Sequence, residues 1–123
     1  MTDLVEVRVS NLAGSALDWA VAKAVGENSP QLGIGGVCVV AHGHTLHRFC
    51  PSTEWSHGGP LIDKYRGSVR HDKHLNDGPC RYTGGTGMDS PWSYGPTPLI
   101  AFCRSLVLAK LGDTVQVPKE LCQ

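Results

Sequence analysis

The sequence predicts an α+β fold, in which a small, mostly antiparallel sheet packs on two main helices and a long Gly/Pro-rich loop joins two of the elements. Apolar residues recur at helical spacing in 15–25 and fill 99–111 almost without interruption. Short runs rich in β-branched residues at 4–9 and 37–49 are typical of strands. Segment 72–95 combines Gly-Pro, Gly-Gly and Ser-Pro pairs, which favour irregular chain.

Composition indicates one domain over residues 1–123 with a genuine hydrophobic core. Apolar residues make up 41% of the chain, and eleven Lys+Arg balance eleven Asp+Glu, which excludes wholesale disorder and argues against a nucleic-acid partner. No apolar run is long enough for a membrane span. Residues 1–4 lack the basic and apolar pattern of a secretory signal, so we expect a cytoplasmic protein with no membrane partner.

The first two elements are predicted to be a strand and a helix. Residues 4–9 alternate imperfectly and have high β-propensity. Ser15 and Asp18 fit a capping box at the start of the helix, and Gly26 is placed to end it in the left-handed conformation. Trp19 falls on the face opposite Val21, where it either packs on a second layer or contacts a partner.

A hairpin is predicted next. Residues 27–36 are polar and contain Gly and Pro, so we expect a loop. Residues 37–41 are a compact apolar run typical of a buried strand, 42–44 form a turn, and 45–49 return as the second strand.

The hairpin region holds an unusual group of metal-ligand residue types, namely His42, His44, His47 and Cys50. Two imidazoles on one strand face suit zinc, yet the spacing matches no standard zinc pattern, and solvent-exposed loop histidines are the favoured interpretation. We therefore predict no metal and no cofactor. Five cysteines without a Cys-x-x-Cys pair predict reduced thiols rather than a disulfide framework, with Cys103 in the core.

Residues 51–60 predict a Gly-rich segment before a short helix. Ser52 or Thr53 can cap a single helical turn. Gly58 and Gly59 permit backbone geometry that other residues avoid, and Pro60 suits the first position of a following helix. Residues 68–71 are predicted as an edge strand.

The strongest predicted element is a helix that runs to Leu111. Thr97 is a good N-cap, Pro98 suits the first helical position, and Gly112 closes the helix. A helix that is apolar nearly all round is either central to the fold or half of a subunit interface. We favour the central position and leave a homo-oligomer open. Residues 114–118 are predicted as a final edge strand.

Three segments resemble a known family: LAGSALDWAVAK at 12–23, PSTEWSHGGPLI at 51–62, and GPTPLIAFCR at 95–104 continuing through KLGD at 110–113. Together they resemble the NinX-like family of small phage and prophage proteins, while residues 27–50 and 64–93 resemble it less. The resemblance implies a phage-encoded accessory protein, and it implies no activity and no catalytic residues.

The candidate ligand site combines hydroxyls, aromatic rings, open backbone amides and cations. Such a mixture suits a small anionic molecule with a ring, a nucleotide above all, held without catalysis. For a phage protein, which the resemblance implies, one use would be to sequester a nucleotide signal from host immunity. Glycine amides and the start of a helix at Pro60 would bind the anion. The predicted ligand-binding residues are Ser52, Thr53, Trp55, His57, Gly58, Gly59, Arg66, Trp92 and Tyr94.

Two other functions stay open from the sequence. Trp19 and the long apolar helix could form the interface of an inhibitor or adaptor that binds a host protein. A metal-dependent or Cys/His hydrolase could pair Cys50 or Cys80 with His57 or His71. The usual motifs of hydrolases, P-loops and zinc proteases do not occur in the sequence, so an enzyme is not favoured.

Overall fold

A computed structural model of the chain describes residues 3–27, 30–71, 81–86 and 92–122. Within these ranges the α-helices are α1 (Gly14–Ala24), α2 (Trp55–Lys64) and α3 (Pro98–Leu111). The strands are β1 (Leu4–Arg8), β2 (Gln31–Leu32), β3 (Cys38–His42), β4 (Thr45–Arg48), β5 (Gly67–His71), β6 (Tyr82–Thr86), β7 (Ser93–Gly95) and β8 (Thr114–Pro118). Short 3-10 helices follow β1 and β8, at Val9–Asn11 and Lys119–Cys122.

The predicted α+β class is confirmed, but the described strands form three small antiparallel sheets instead of one. These are a β1–β8 pair, a β2–β3–β4 sheet and a β5–β6–β7 sheet. The pair joins strands from distant parts of the sequence, with Leu4 opposite Pro118 and Arg8 opposite Thr114. Helix α3 packs on β5–β6–β7 and on α1, and α1 in turn contacts β3 and β8.

Helix α3 is the central element, as its apolar sequence predicts. Eight of its residues are buried, from Leu99 to Val107. The Thr97 hydroxyl accepts a hydrogen bond from the Ile100 amide at 3.1 Å, and Gly112 ends the helix with φ 96°. Both predicted caps are therefore confirmed. Within the described residues, no helix combines the length and apolar character needed to cross a bilayer.

Glycines let α3 lie directly on the β5–β6–β7 sheet. A Cβ built on Gly84 would come within 2.6 Å of the Phe102 amide nitrogen, and one on Gly95 within 2.7 Å of the Ala101 nitrogen. The prediction of a loop over 72–95 is therefore wrong for β6 and β7. Gly84 and Gly95 do not form turns, and instead they leave room for the main chain of α3 on the sheet. Residues 72–80 and 87–91 of that prediction lie outside the described residues.

Helix α1 ends as predicted but begins differently. The amide of Glu27 donates to Ala22 at 2.9 Å and that of Gly26 to Lys23 at 3.3 Å, with Gly26 at φ 81°, as in a Schellman motif. The capping box is wrong, since no side chain caps the helix at Ala13. Trp19 is only 9% exposed and belongs to the main core cluster, so packing on a second layer is confirmed.

The hairpin is confirmed in β3 and β4, which flank a turn at residues 43–44 with Gly43 at φ 65°. The loop predicted over 27–36 contains one short addition, β2. Gln31 pairs with Val39 and Leu32 with Cys38, which extends the sheet by one strand.

Helix α2 departs most from its prediction, because it begins at Trp55 and runs through Gly58, Gly59 and Pro60. The Gly58 amide donates to the Glu54 carbonyl at 2.8 Å, so it is part of the helix. A Cβ on Gly58 would lie 2.5 Å from the Pro51 carbonyl oxygen and 2.7 Å from Leu99 Cδ2. Gly58 therefore allows α2 to pack closely on Pro51 and on Leu99 of α3. Pro60 lies inside the helix and does not begin it.

The two adjacent helical glycines provide a direct test of this packing. Gly58→Ala should lower the free energy of unfolding by about 1–3 kcal/mol, because its methyl group would overlap main chain that cannot move cheaply. Gly59→Ala is the matched control, since a Cβ there meets no atom within 4 Å. It should raise the free energy of unfolding by up to about 1 kcal/mol through helix propensity. Urea denaturation measures both, and equal effects would contradict the described packing of α2.

Candidate functional site

A cleft of about 1080 Å³ opens between the end of β1, β7 and the C-terminal half of α3. We call it the Trp92–Tyr94 cleft, after its two aromatic residues. The residues that line it are Arg8, Val9, Ser10, Asn11, Trp92, Ser93, Tyr94, Arg104, Leu108, Asp113 and Thr114. They come from four separate parts of the sequence, which only the folded chain brings together.

The two aromatic side chains lie on one side of β7. Trp92 is 48% and Tyr94 47% exposed, whereas Ser93 and Gly95 are buried on the α3 side. A Cβ built on Gly85 would lie 2.9 Å from the indole atoms Cδ2 and Cε2 of Trp92. The indole therefore rests on β6 at a position where only glycine leaves room. About half of the residue remains exposed.

Arg104 fixes the geometry of this cleft from the central helix. Its Nε donates to the Leu12 carbonyl at 2.8 Å, and its Nη1 donates to the Tyr94 carbonyl at 2.8 Å. The residue is only 8% exposed, so these charge-assisted bonds form out of bulk water. Arg104 thereby ties β7 to the turn that precedes α1, and the two sides of the cleft are held at a fixed separation.

Among the described lining residues, Arg8 and Arg104 are cationic and Asp113 is acidic, and this balance favours an anion. Ser10, Asn11 and Thr114 add polar side chains that can donate or accept hydrogen bonds. A few polar groups beside aromatic surface are typical of a small-molecule site.

Sequence reasoning found the aromatic residues of this cleft and missed its cations. Arg104 is one of few polar residues in the apolar helix 98–111, and that isolation is the signal that could have indicated a special role. Arg8 carried no such signal, because only the pairing of β1 with β8 brings it near Asp113.

Trp92 and Tyr94 are brought together, but Trp55 does not line their cleft. Trp55 lies at the start of α2 and is 56% exposed. The predicted anion cradle at Gly58 and Gly59 is wrong in its geometry, since their segment is helical and the helix does not begin at Pro60. Arg66 is exposed directly after α2, at φ 54°, outside the lining of the cleft.

Two of the remaining predicted ligand residues make buried structural contacts instead. The Ser52 amide donates to Asp18 Oδ1 at 2.8 Å, and its hydroxyl donates to the Gly14 carbonyl at 3.4 Å. The Cys50 amide donates to His57 Nδ1 at 2.9 Å. The two Ser52 bonds attach this segment to α1, and the part-buried bond from Cys50 to His57 closes the segment on itself. Thr53 beside them is exposed.

Asp18 is the buried acid of this cluster. Burial raises its pKa to about 6, although the hydrogen bonds from Ser52 and the nearby His57 ring lower it. The carboxyl group that was predicted to cap α1 therefore holds the chain before α2.

The hydrolase hypothesis receives no support from the described thiols. Cys50 and His57 meet through the main chain, and burial raises the pKa of the Cys50 thiol, which disfavours the reactive thiolate. Burial also raises the pKa of Cys38 to about 12. His71 stacks beside Tyr82 with ring centroids 5.1 Å apart, and Cys80 lies outside the described residues.

The histidines of the hairpin form surface contacts. His42 and His44 do not share a strand face, because His44 lies in the turn. His42 Nε2 instead lies 3.1 Å from Glu27, and its ring lies 5.2 Å from that of His47. Over residues 3–27, 30–71, 81–86 and 92–122, no group of three or more His, Cys, Asp or Glu is arranged to hold a metal ion.

Trp19 and most of the apolar residues of α3 lie in the main core cluster, whereas Leu111 at the end of α3 is 42% exposed. Binding of a host protein stays a prediction.

Comparison with known proteins identifies a phage family. The family described as "Bacteriophage P22, NinX" matches residues 8–110. The match includes 27–50 and 64–93, where the resemblance looked weaker from the sequence alone. It also includes α3 up to Lys110 and both aromatic residues of the cleft. Among curated proteins, none matches this chain.

The buried carboxyl group predicts a specific pH dependence. Asp18 binds its proton more tightly in the folded chain than in the unfolded one, so its favourable contribution is complete below pH 3.8 and is lost as the pH rises through about 6. Asp18→Asn keeps an acceptor for the Ser52 amide but has no charge to bury. Relative to wild type, the free energy of unfolding of this variant should therefore increase by about 2–3 kcal/mol between pH 4 and pH 7.5.

Chemical denaturation at the two pH values measures this difference. Asp63→Asn, at an exposed position of α2, is the matched control and should show no comparable change. The prediction would be contradicted if Asp18→Asn lost stability relative to wild type as the pH rises. That result would mean that the folded state favours the ionised carboxylate of Asp18.

Proposed function

The chain belongs to the NinX family of bacteriophage proteins, and we propose that it binds a small, anionic, ring-bearing molecule of nucleotide type in the Trp92–Tyr94 cleft. It is a phage accessory protein, and the cleft is the feature of its structure that suits a ligand. The observation that supports the proposal is that two half-exposed aromatic rings and two arginines line a single cleft.

The aromatic rings supply the site for the ring of the ligand. The exposed face of Trp92 is flat, and its other face is held against Gly85, so little conformational freedom is lost when a base stacks on it. Stacking of a base on an aromatic side chain contributes about 1–3 kcal/mol and tolerates any base. Tyr94 adds a second ring on the same side of β7.

The arginines supply the site for the phosphate. Arg104 is held by two main-chain carbonyls, so its positive charge occupies a fixed place at the cleft. Arg8 is exposed at the end of β1, where its longer reach suits an anion that enters from solvent. Together they outweigh Asp113, and a ligand that carries at least one negative charge is favoured over a neutral one.

The lining residues favour holding a ligand over transforming it. Among the lining residues within the described part of the chain there is neither a histidine nor a cysteine, and the one carboxylate is Asp113. A nucleophile paired with a general base is therefore not formed by the residues that line the cleft. For a phage accessory protein, binding without turnover would withdraw a nucleotide signal from host immunity.

A panel of nucleotides tests the proposal by thermal shift. At concentrations far above the dissociation constant, a ligand of the folded state should raise the melting temperature by several degrees. Trp92→Leu, which keeps apolar cover on Gly85 but removes the flat ring, should abolish the shift, and Arg8→Gln should reduce it. No shift with any nucleotide would overturn the proposal.

Two control variants match these substitutions. Trp55→Leu removes a tryptophan of similar exposure outside the cleft, and Arg66→Gln removes one positive charge outside it. Both should keep the full shift. Loss of the shift in the controls, with the cleft variants unaffected, would place the ligand at α2 instead.

A further inference from the structure

The spacing of Trp92 and Tyr94 along the chain determines how many bases can stack on them. Trp92 directly precedes β7 and Tyr94 lies within it, with buried Ser93 between them. Along an extended chain, residues two apart are separated by about 6.5–7 Å and point to the same side. This separation is too large for one base to lie flat on both rings, and it suits two neighbouring bases of an extended dinucleotide.

The seating of Trp92 decides how a base can approach it. Three indole atoms lie within 3.2 Å of the position that a Cβ on Gly85 would occupy, so the ring lies over the strand with one face covered. Its free face therefore points away from the sheet. The two rings are therefore two separate stacking positions, and they are not opposite walls around a single ring.

The size of the cleft agrees with a ligand larger than one nucleotide. Its volume of about 1080 Å³ is at the upper limit of the roughly 300–1000 Å³ that is usual for small-molecule sites. Arg8 and Arg104 line the same cleft and can face the phosphate that links two nucleosides.

The charge of the protein sets an upper limit on the length of the ligand. Proteins that bind long single strands provide a positively charged groove that follows the backbone. Here the chain has a formal net charge of zero, and Asp113 lies in the same cleft as the two arginines. The electrostatics therefore suit a short ligand.

From these observations we infer that the ligand of the cleft contains two bases joined through phosphate, one stacked on Trp92 and the other on Tyr94. This inference rests on the proposed function, because it concerns the same site. It names the chemical class more narrowly, as a linear or cyclic dinucleotide.

The test compares ligands that differ in the number of bases but carry similar charge. Isothermal titration calorimetry with the full chain measures the affinities of 5′-phosphorylated diadenylate and diguanylate, of their cyclic counterparts, and of ADP and GDP. The second stacked base should make the best dinucleotide bind at least about tenfold more tightly than the matching diphosphate. The linear and cyclic probes distinguish a nucleic-acid fragment from a cyclised signal.

Variants at each ring separate the two stacking positions. Trp92→Leu and Tyr94→Leu should each reduce dinucleotide affinity about tenfold, to the level of the single-base ligand. Trp55→Leu should leave it unchanged. Circular dichroism of each variant confirms that the loss is not a loss of folding.

The outcomes distinguish this inference from the proposed function. Equal affinity for ADP and diadenylate, and for GDP and diguanylate, would overturn the two-base assignment and leave nucleotide binding in place. An affinity that keeps rising in oligonucleotides longer than two would assign the cleft to a single strand and also overturn it. If none of the probes binds, both the inference and the proposed function fail.

Discussion

The hydrogen bonds of one buried guanidinium determine the arrangement of this protein. Arg104 extends from the central helix to the Leu12 carbonyl on one side and the Tyr94 carbonyl on the other. A buried guanidinium destabilises the folded state unless its N–H groups are hydrogen-bonded. Both segments must therefore stay in place around Arg104. The position of β7 against the turn before α1, and with it the width of the cleft, follows from this requirement.

Local signals predicted the elements whose ends depend on their own residues. Thr97 and Gly112 mark the ends of α3, and Gly26 ends α1, because capping is decided within a few residues. Glycines with tertiary roles were misinterpreted. Gly58 and Gly84 lack a side chain so that α3 can approach, and a sequence does not distinguish that use from a turn.

Only the part of the candidate site that is formed by residues close together in the sequence was predictable. Trp92 and Tyr94 are neighbours at the end of a Gly-rich segment, and the sequence sufficed to group them. Arg8, Arg104 and Asp113 come from separate elements, and long-range strand pairing and packing assemble them. Trp55 looked equivalent to Trp92, but the continuous helix α2 places it elsewhere.

The β1–β8 pair has a consequence for the order in which the molecule is made. Arg8 leaves the ribosome well before its antiparallel neighbour Thr114, which emerges after α3 is complete. Contacts so distant in sequence form late, once the entropy of closing a long loop has been overcome. The surface at the end of β1, where Arg8 lies beside Thr114, would therefore be complete only after the helices between them have been synthesised.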